Sequence, residues 1–306
     1  MSGPDALKRD LDWIHRHFNV DELLSHSVSH QDIQRYYTRS SLAYRLLHSL
    51  DGAVHMSLSE DGHFRFSDYN AQVQQLSDLM DQPNMIVLEL GCGAGFNLRK
   101  LAVAQPANQF FGVDLTPSHT RQSRHAVRKY PNATVTNADF HYLPFTDELF
   151  NILYDVESVC HSDNIGNVLA EAWRVLKSGG SFILFDGFRV VPSAKLTEDE
   201  YLARRLIEKS MAIDEAILIS DFLDEAHRQN FVVGECTDLA NQIMPNLKRL
   251  RKILTFWRSV PGLFDVSRLL LPREMAQNAI AALLMPYMVG QGYQGYYRIV
   301  LQKNVG

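Results

Sequence analysis

The stretch that decides the fold is Met85-Ile-Val-Leu-Glu-Leu-Gly-Cys-Gly-Ala-Gly-Phe-Asn97. Its first part is apolar except for Glu89, which is typical of a strand buried on both faces of a parallel sheet. Glycines then alternate with other residues, at Gly91, Gly93 and Gly95. Glycine reaches backbone conformations closed to other residues and has no Cβ to keep a ligand from the main chain. The stretch therefore predicts a strand, a ligand-holding turn and a helix, in that order.

Two acids downstream fit a bound nucleoside. The helix predicted after the glycines would offer free N–H groups and partial positive charge to a carboxylate or phosphate. A second apolar run ends at Asp114, 114 − 95 = 19 positions beyond Gly95. An acid near this offset accepts hydrogen bonds from ribose hydroxyls in nucleoside-binding α/β folds; the alternative is an ordinary turn or helix N-terminal acid. Asp139 closes a third predicted strand and is expected to reach an adenine amino group.

The spacing of the glycines separates the candidate cofactors. The pattern is G-x-G-x-G, whereas dinucleotide enzymes use G-x-G-x-x-G to place a pyrophosphate. Glu89 lies two residues before the first glycine, and its carboxylate would repel a pyrophosphate and attract an ammonium group. S-adenosylmethionine carries an ammonium, a carboxylate and a sulfonium. The sequence therefore favours this cofactor over a dinucleotide.

The motifs that follow carry a family resemblance. In chain order they are Glu89-Leu-Gly-Cys-Gly-Ala-Gly95, Val113-Asp114, Ala138-Asp139, Leu143-Pro-Phe-Thr-Asp147 with Phe150-Asn-Ile-Leu-Tyr-Asp155, and Ala172-Trp-Arg-Val-Leu-Lys-Ser-Gly-Gly180. This set resembles class I S-adenosylmethionine-dependent methyltransferases, from about residue 36 to residue 188. Within that class, Tyr154-Asp-Val-Glu-Ser-Val-Cys-His161 and the Tyr36-Tyr37 pair are similar to the sterol C-methyltransferases and related small-molecule enzymes. Phe96-Asn97 departs from the sterol enzymes, where a further small residue and a proline are expected.

The resemblance implies a set of cofactor contacts. They are Tyr36, Glu89, Gly91, Cys92, Gly93, Gly95, Asp114, Leu115, Asp139, Phe140 and Glu157. One tyrosine of the pair would close its hydroxyl over the methionine carboxylate of the cofactor. The alternative for Tyr36 is that it anchors a helix against the core.

Chemistry is expected at the end of the fourth predicted strand. Glu157 is a candidate to bind the cofactor's amino group indirectly, to stabilise positive charge on the acceptor or to accept a proton. His161 is a candidate general base because its unperturbed pKa lies near 6.5; the alternative is a structural histidine. Methyl transfer depends chiefly on alignment, for which effective molarity supplies roughly 7–11 kcal/mol. No metal site is predicted.

Alternating strand and helix patterns predict an α/β fold with a Rossmann-like, doubly wound, mostly parallel sheet. Strands are predicted at 85–90, 109–114, 133–137, 150–156 and 181–186, then at 231–237 and 294–302. Helices are predicted at 6–18, 31–50, 68–81, 97–104, 116–129, 164–176, 195–219 and 221–230, with Glu198, Asp199 and Glu200 on a solvated face. The expected organisation is an N-terminal helical cap (1–83), a cofactor-binding core (84–238), a helical insertion (239–292) and the final strand of the core (293–306).

The insertion contains a basic amphipathic run at 247–257 and a segment rich in Ala, Leu and Met at 275–288. Helical insertions beside an active site commonly form lids and substrate pockets, and methionine suits irregular apolar ligands. Core packing is the alternative. The basic run would contact a membrane surface or an anionic substrate group, or form a solvated helix face.

Composition narrows the partners. A net charge of −5 over 306 residues gives no field that would attract nucleic acid. Three distant cysteines suggest reduced thiols and no zinc site. The start of the chain lacks a signal-peptide core, and no apolar run reaches the ~18 residues of a membrane span. We therefore expect a soluble cytoplasmic protein, with peripheral membrane contact and a homodimer left open.

These observations favour a methyltransferase that acts on a small, largely apolar molecule, with C-methylation of an isoprenoid, sterol-like or natural-product acceptor. The alternatives are O- or N-methylation of a small metabolite, and a non-catalytic protein that keeps the fold to bind the cofactor. The sequence does not identify the acceptor or the atom methylated.

Overall fold

The computed structural model describes residues 3–43, 49 and 51–304, and for 41–43 the backbone alone. In that part of the chain one sheet contains β1 (Ile86–Leu90), β2 (Gln109–Asp114), β3 (Ala133–Asn137), β4 (Phe150–Val156), β5 (Leu176–Arg189), β6 (Phe231–Asp238) and β7 (Gln294–Lys303). The helices are α1 (Pro4–His17), α2 (Val20–Ser25), α3 (His30–Ala43), α4 (Ala71–Asp78), α5 (Phe96–Ala104), α6 (Pro117–Val127), α7 (Ile165–Val175), α8 (Glu198–Ser210), α9 (Ile219–Arg228), α10 (Ala240–Ser259), α11 (Leu263–Leu270) and α12 (Arg273–Gly290).

The strand order is β3-β2-β1-β4-β5-β7-β6. Neighbouring strands from β3 to β5 are parallel, whereas β7 is antiparallel to both β5 and β6. The order reverses direction at β1, so the C-terminal ends of β1, β2 and β4 form the crevice in which such sheets bind ligands. The predicted fold class is confirmed.

Helices cover both faces of the sheet because the central strands are apolar on both sides. On one face, α4, α5 and α10 contribute Leu76, Leu101 and Leu247 to a core shared with Val87 of β1. On the other face, α7 and α9 pack against alternate residues of the same strands. This sandwich fixes the strand ends, and therefore the residues that follow them, in one place.

The helices α10, α11 and α12 lie between β6 and β7, within the predicted insertion. They form a third apolar cluster with α1, α2 and α8, which includes Leu11, Leu206 and Leu284. Arg251 of the basic run and Arg258, just after it, turn inward. They donate hydrogen bonds of 2.6 and 2.7 Å to the carboxylate of Asp10, which is 3% exposed. The N-terminal helices and the insertion are thus packed as one layer above the sheet.

Two predictions in the C-terminal half are wrong. The helix expected at 195–219 ends at Ser210, because Ala212 adopts a left-handed φ of 56°. The expected solvated position of Glu200 is also wrong, since this residue is buried and its Oε1 accepts hydrogen bonds from the hydroxyls of Tyr287 and Tyr293. The helix expected at 31–50 is seen as α3, and residues 44–48 and 50 of that prediction lie outside the described residues.

Candidate functional site

The glycine turn after β1 is shaped by close approaches and by left-handed backbone. Gly91, Gly93 and Gly95 have φ values of +64°, +50° and +83°. A Cβ on Gly91 would lie 2.3 Å from the Cβ of Ser158, so this glycine is required for packing. A Cβ on Gly93 would meet nothing closer than Val54 Cγ2 at 3.9 Å. The missing side chain of Gly93 therefore leaves open space in which a ligand can rest on the main chain.

Asp114 ends β2 and fastens the glycine turn. Its Oδ2 accepts the Gly93 N–H at 2.8 Å and its Oδ1 accepts the Thr116 N–H at 2.7 Å. These bonds hold the carboxylate still, and each oxygen keeps a lone pair for another donor. The arrangement suits the two ribose hydroxyls that the sequence assigned to this acid.

Glu89 lies beneath the turn and is 2% exposed. Asn97 Nδ2 donates to its Oε1 at 3.2 Å, while its Oε2 is buried with no hydrogen-bond partner among the described residues. Burial raises the pKa of Glu89 to about 8. A cation that binds above the turn would stabilise the ionised form of this carboxyl group.

Asp139 follows β3 and is held by the histidine two positions later. Its Oδ1 accepts the backbone N–H of His141 at 2.9 Å and lies 2.6 Å from His141 Nδ1, while His141 Nε2 lies 2.8 Å from Ser162 Oγ. His30 stacks on His141 with ring centroids 5.9 Å apart. Donor atoms of His30, Asp139 and His141 lie within 4.8 Å of one another, close enough to hold a metal ion. Hydrogen bonds already use His141 on both nitrogens, while Asp139 Oδ2 lies 3.8 Å from His30 Nδ1.

A buried pair of acids shapes the turn after β4. Asp155 Oδ1 accepts the N–H groups of Ser158 and Val159, each at 3.1 Å, and Asp186 Oδ2 accepts the Cys160 N–H at 2.8 Å. Burial and the neighbouring Asp186 raise the pKa of Asp155 well above its usual range. Both acids thereby fix the turn that carries the two predicted catalytic residues.

Glu157 occupies that turn in a strained conformation, with a φ of +57°. Strained residues of this kind cluster at functional sites. Its Oε1 accepts the Met56 N–H at 2.6 Å, and burial raises its pKa to about 8. Glu157 lines the cavity above the glycine turn and also two apolar cavities on its other side.

His161 has both ring nitrogens occupied. Nδ1 lies 3.0 Å from the carbonyl of Ala212, a group that only accepts, so this nitrogen carries the proton. Nε2 lies 2.7 Å from the Tyr37 hydroxyl, which therefore donates. Burial lowers the pKa of His161 to about 4, which makes the ring neutral near pH 7 and a weak base.

The cavity above the glycine turn gathers most of the predicted cofactor residues. It is lined by Gly91, Gly93, Asp114, Leu115, Asp139, Phe140 and Glu157, with His161 at one side. Glu89, Cys92 and Gly95 are not on its wall but directly support the turn. Tyr36 lines the apolar cavities instead, and its hydroxyl donates to Asn278 Oδ1 at 2.6 Å.

Three residues that line the cavities were not in the set of site residues assigned from the sequence. Tyr37 faces the cofactor cavity where Tyr36 was expected, and its neighbouring position in the pair was the available signal. His141 was signalled by its position two residues after Asp139. Asp186 lies inside β5, which continues to Arg189, and it lines the second apolar cavity. The strand predicted at 181–186 ended at this acid, which was the available signal.

The largest apolar cavity lies under the insertion and runs toward Glu157. Its empty volume is about 1060 Å³, including space open to solvent. The lining is contributed by α10, α11 and α12, and includes Leu250, Trp257 and Met285. A second apolar cavity, bounded by β5 and α8, shares Tyr36, Met56 and Glu157 with it. A molecule in either cavity would meet a ligand on the glycine turn at Glu157.

The fold and the glycine site define a nucleoside-binding domain of the class I methyltransferase type. Residues 88–184 match a family described as a methyltransferase domain. The chain is 35% identical over 109 residues to sterol methyltransferase-like 3 of Botryococcus braunii, covering 35% of this chain and 28% of that protein. It is 27% identical to 24-methylenesterol C-methyltransferase 2 of Arabidopsis thaliana, covering 58% of this chain and 50% of that one.

Solved structures share the fold at low identity. The cyclopropane synthase MmaA2 from Mycobacterium tuberculosis aligns with a TM-score of 0.75 at 16% identity, covering 91% of this chain and all of that one (100%). The [4+2]-cyclase SpnF aligns at 0.71 and 17%, covering 92% and 98%. The geranyl diphosphate C-methyltransferase from Streptomyces coelicolor A3(2), in complex with Mg²⁺, geranyl diphosphate and S-adenosyl-L-homocysteine, aligns at 0.65 and 15%, covering 90% and 98%.

These comparisons confirm the predicted class I methyltransferase domain and its likeness to the sterol group. The chain spans half or less of the length of the curated relatives it matches here, at 28% and 50%. Among the described residues, no helix combines the length and the apolar character needed to cross a membrane.

Proposed function

We propose that this chain is an S-adenosylmethionine-dependent methyltransferase whose acceptor is a neutral, largely apolar small molecule, with C-methylation of an isoprenoid or sterol-like acceptor favoured. The observation that carries the proposal is the position of Glu157. It is shared by the cavity above the glycine turn and by both apolar cavities. Cofactor and acceptor would therefore meet at one buried carboxyl group.

The residues present fit the cofactor. The open space above Gly93 and the fixed carboxylate of Asp114 suit a nucleoside, Asp139 Oδ2 suits an exocyclic amine, and the unsatisfied Glu89 Oε2 suits a nearby positive charge. S-adenosylmethionine supplies an electrophilic methyl group on a sulfonium. The cofactor contacts assigned from the sequence, including Tyr36, remain predictions, and we propose Tyr37 as a further member of that set.

The charges around the apolar cavities favour a neutral acceptor. Among the described lining residues of the larger cavity, Arg268 is the single cation, and its Nη1 hydrogen-bonds to the carbonyl of His17. The smaller cavity contains the acids Glu157, Asp186 and Glu208. A lining with one cation and three acids offers little positive charge to neutralise a diphosphate group. This lining supports a neutral acceptor over a diphosphate ester.

Glu157 and His161 receive different roles. When an alkene carbon gains a methyl group, the acceptor becomes positively charged and must lose a proton to become neutral again. The carboxylate of Glu157 is the group placed to stabilise that charge and to take up the proton. His161, neutral and bonded on both nitrogens, would orient the Tyr37 hydroxyl. We therefore propose Glu157 as the catalytic residue and His161 as a positioning residue.

The test is methyl transfer from isotopically labelled cofactor to a panel of acceptors. The panel contains a sterol with a side-chain double bond, a neutral prenyl alcohol, the matching prenyl diphosphate and a small amine or phenol. We expect label in the sterol or prenyl alcohol and none in the diphosphate, with activity lost in Glu157→Gln and retained in the exposed control Glu60→Gln. Label in the amine or phenol alone would replace C-methylation by the O- or N-methylation alternative.

A non-catalytic or non-methylating role is the second candidate. It is favoured by one observation, that a structural neighbour at a TM-score of 0.71 is described as a [4+2]-cyclase. Tight cofactor binding by calorimetry, together with no label in any acceptor, would support that role against ours.

A further inference from the structure

The end of α10 and the whole of α11 form the most apolar exposed region of the described chain. Among the described residues, eleven large hydrophobic side chains are exposed, and five of the eleven fall within residues 256–270. They are Phe256 (67% exposed), Val260 (39%), Val266 (55%), Leu269 (82%) and Leu270 (78%). We call these five residues the apolar corner. Such a concentration of exposed apolar side chains on the end of α10 and on α11 marks an interaction surface.

The other side of the same two helices lines the large apolar cavity. Trp257 of α10, with Phe264 and Ser267 of α11, faces the cavity, while Leu269 and Leu270 face outward. Only the thickness of α11 separates the cavity from the apolar corner. This helix therefore has apolar side chains on both faces. One face lines the cavity, and the other is covered by no protein among the described residues.

The charges around the apolar corner are strongly one-sided. Residues 248–273 contain seven basic side chains, Lys248, Arg249, Arg251, Lys252, Arg258, Arg268 and Arg273, and one acid, Asp265, in a chain whose net charge is −5. Arg251 and Arg258 are paired with Asp10, and Arg273 is paired with Glu22 at 2.7 Å, whereas Lys248, Lys252 and Arg268 are exposed and form no ion pair among the described residues. Exposed leucines flanked along the chain by lysine and arginine are the composition of helices that lie in the interface of an anionic bilayer.

We propose that the apolar corner inserts into the headgroup region of an anionic lipid membrane, with the surrounding lysines and arginines over the lipid phosphates. The positive charge of these lysines and arginines favours an anionic membrane over a second copy of the chain, because a second copy would bring the same positive charge against it. The insertion is peripheral, with α11 lying along the surface. An apolar molecule in the bilayer would then be separated from the cavity by α11 alone.

The experiment is vesicle co-sedimentation of the full chain without cofactor or acceptor, so its result does not depend on the proposed methyl transfer. Vesicles of phosphatidylcholine alone are compared with vesicles of phosphatidylcholine and phosphatidylglycerol in equal parts. We expect binding to the mixed vesicles that weakens as salt rises. Leu269→Ser with Leu270→Ser should weaken it at least about tenfold, because two exposed leucines lose their apolar burial.

Charge is tested separately. Lys248→Gln with Lys252→Gln should weaken binding to the mixed vesicles about fivefold per charge removed. The matched controls are Leu79→Ser with Val103→Ser for the apolar change, and Lys129→Gln with Lys195→Gln for the charge change, all at exposed positions away from the apolar corner. These controls should bind as the unmodified protein does.

Three outcomes would overturn the proposal. The first is no sedimentation of the unmodified chain with mixed vesicles. The second is equal binding by the serine pair and its control. The third is a dimer in solution that the serine pair converts to a monomer without any vesicle binding, which would make the apolar corner an interface between copies. Circular dichroism and thermal unfolding of each variant establish that loss of binding is not loss of fold.

Discussion

Replacing Glu157 by glutamine should change how cofactor affinity depends on pH. Burial raises the pKa of Glu157 to about 8 in the free protein, so at pH 7 about one molecule in eleven is ionised there. A sulfonium beside this group favours the carboxylate and lowers its pKa. Binding must therefore include the cost of ionisation, which is about 1.4 kcal/mol at pH 7 and vanishes above pH 8. Affinity for S-adenosylmethionine should rise about tenfold between pH 7 and pH 9 from this group alone.

Glutamine carries no titrating proton, so Glu157→Gln should remove this part of the pH dependence. The assay is isothermal titration calorimetry at several pH values, in two buffers of different ionisation enthalpy. At pH 7 the unmodified chain should release about 0.9 proton more than the variant on binding. The cofactor's own amino group titrates near pH 8, and this contribution cancels in the comparison of the two proteins. An identical slope of affinity against pH in both proteins would refute the reasoning.

The stability of the cofactor-free protein should change in the opposite direction. Because the pKa of Glu157 is raised above its unfolded value of 4.5, the stabilising protonated form is complete below about pH 4.5 and is lost as the pH rises toward 8. Glu157→Gln should therefore be more stable than the unmodified chain at pH 9, by up to about 5 kcal/mol. Urea unfolding at pH 5 and pH 9 measures this difference. Glu89→Gln provides a matched comparison, because burial also raises its pKa to about 8 but its side chain is not on the cavity wall.

Three further predictions concern other parts of the site and its support. Asp114→Ala should weaken cofactor binding by about 2–3 kcal/mol in calorimetry, since hydrogen bonds to a charged acceptor are lost; unchanged affinity would remove Asp114 from the site. Gly93→Ala should lower cofactor affinity and destabilise the fold by about 1–2 kcal/mol, because its left-handed backbone disfavours a side chain. Gly91→Ala should unfold at a much lower urea concentration, because its Cβ would lie 2.3 Å from the side chain of Ser158. Equal urea midpoints for the two variants would contradict this. Asp10→Asn should cost roughly 3–5 kcal/mol of stability, because two arginines lose a buried carboxylate, and a change below 1 kcal/mol on that urea scale would show that the pair is merely a surface contact.

The sequence predicted the core closely because its signals are local. Strands β2, β3 and β4 have the bounds expected from their apolar runs, and the glycine turn has the left-handed backbone that its composition indicates. The errors fall where distant residues decide. The helix after residue 195 was expected to continue because its pattern is helical, but Ala212 turns left-handed and its carbonyl bonds to His161 across 51 positions.

The candidate site was only partly predictable for the same reason. Residues at strand ends, such as Asp114 and Glu157, could be assigned because parallel strands end at one edge. The roles of side chains from α3 could not, because the rotation of that helix over the sheet places Tyr37, but not Tyr36, on the wall of the cofactor cavity, while Tyr36 lines both apolar cavities. Two adjacent residues on a helix point about 100° apart, and no local pattern states which one faces inward.

The charge of this site selects against the commoner dinucleotide cofactors. Glu89 and Glu157 are both buried with a pKa raised to about 8, so each costs stability when it ionises in the cofactor-free protein. A pyrophosphate bound on the glycine turn would raise that cost further, whereas a nucleoside that carries a sulfonium and an ammonium reduces it at both positions. The acids therefore act as a selective element, because no arginine or lysine is among the described residues of the cofactor cavity wall. The fold makes ionisation of Glu89 and Glu157 unfavourable. A dinucleotide would raise the free energy of these two ionisations, and S-adenosylmethionine would lower it, which is how the site would discriminate between the two cofactors.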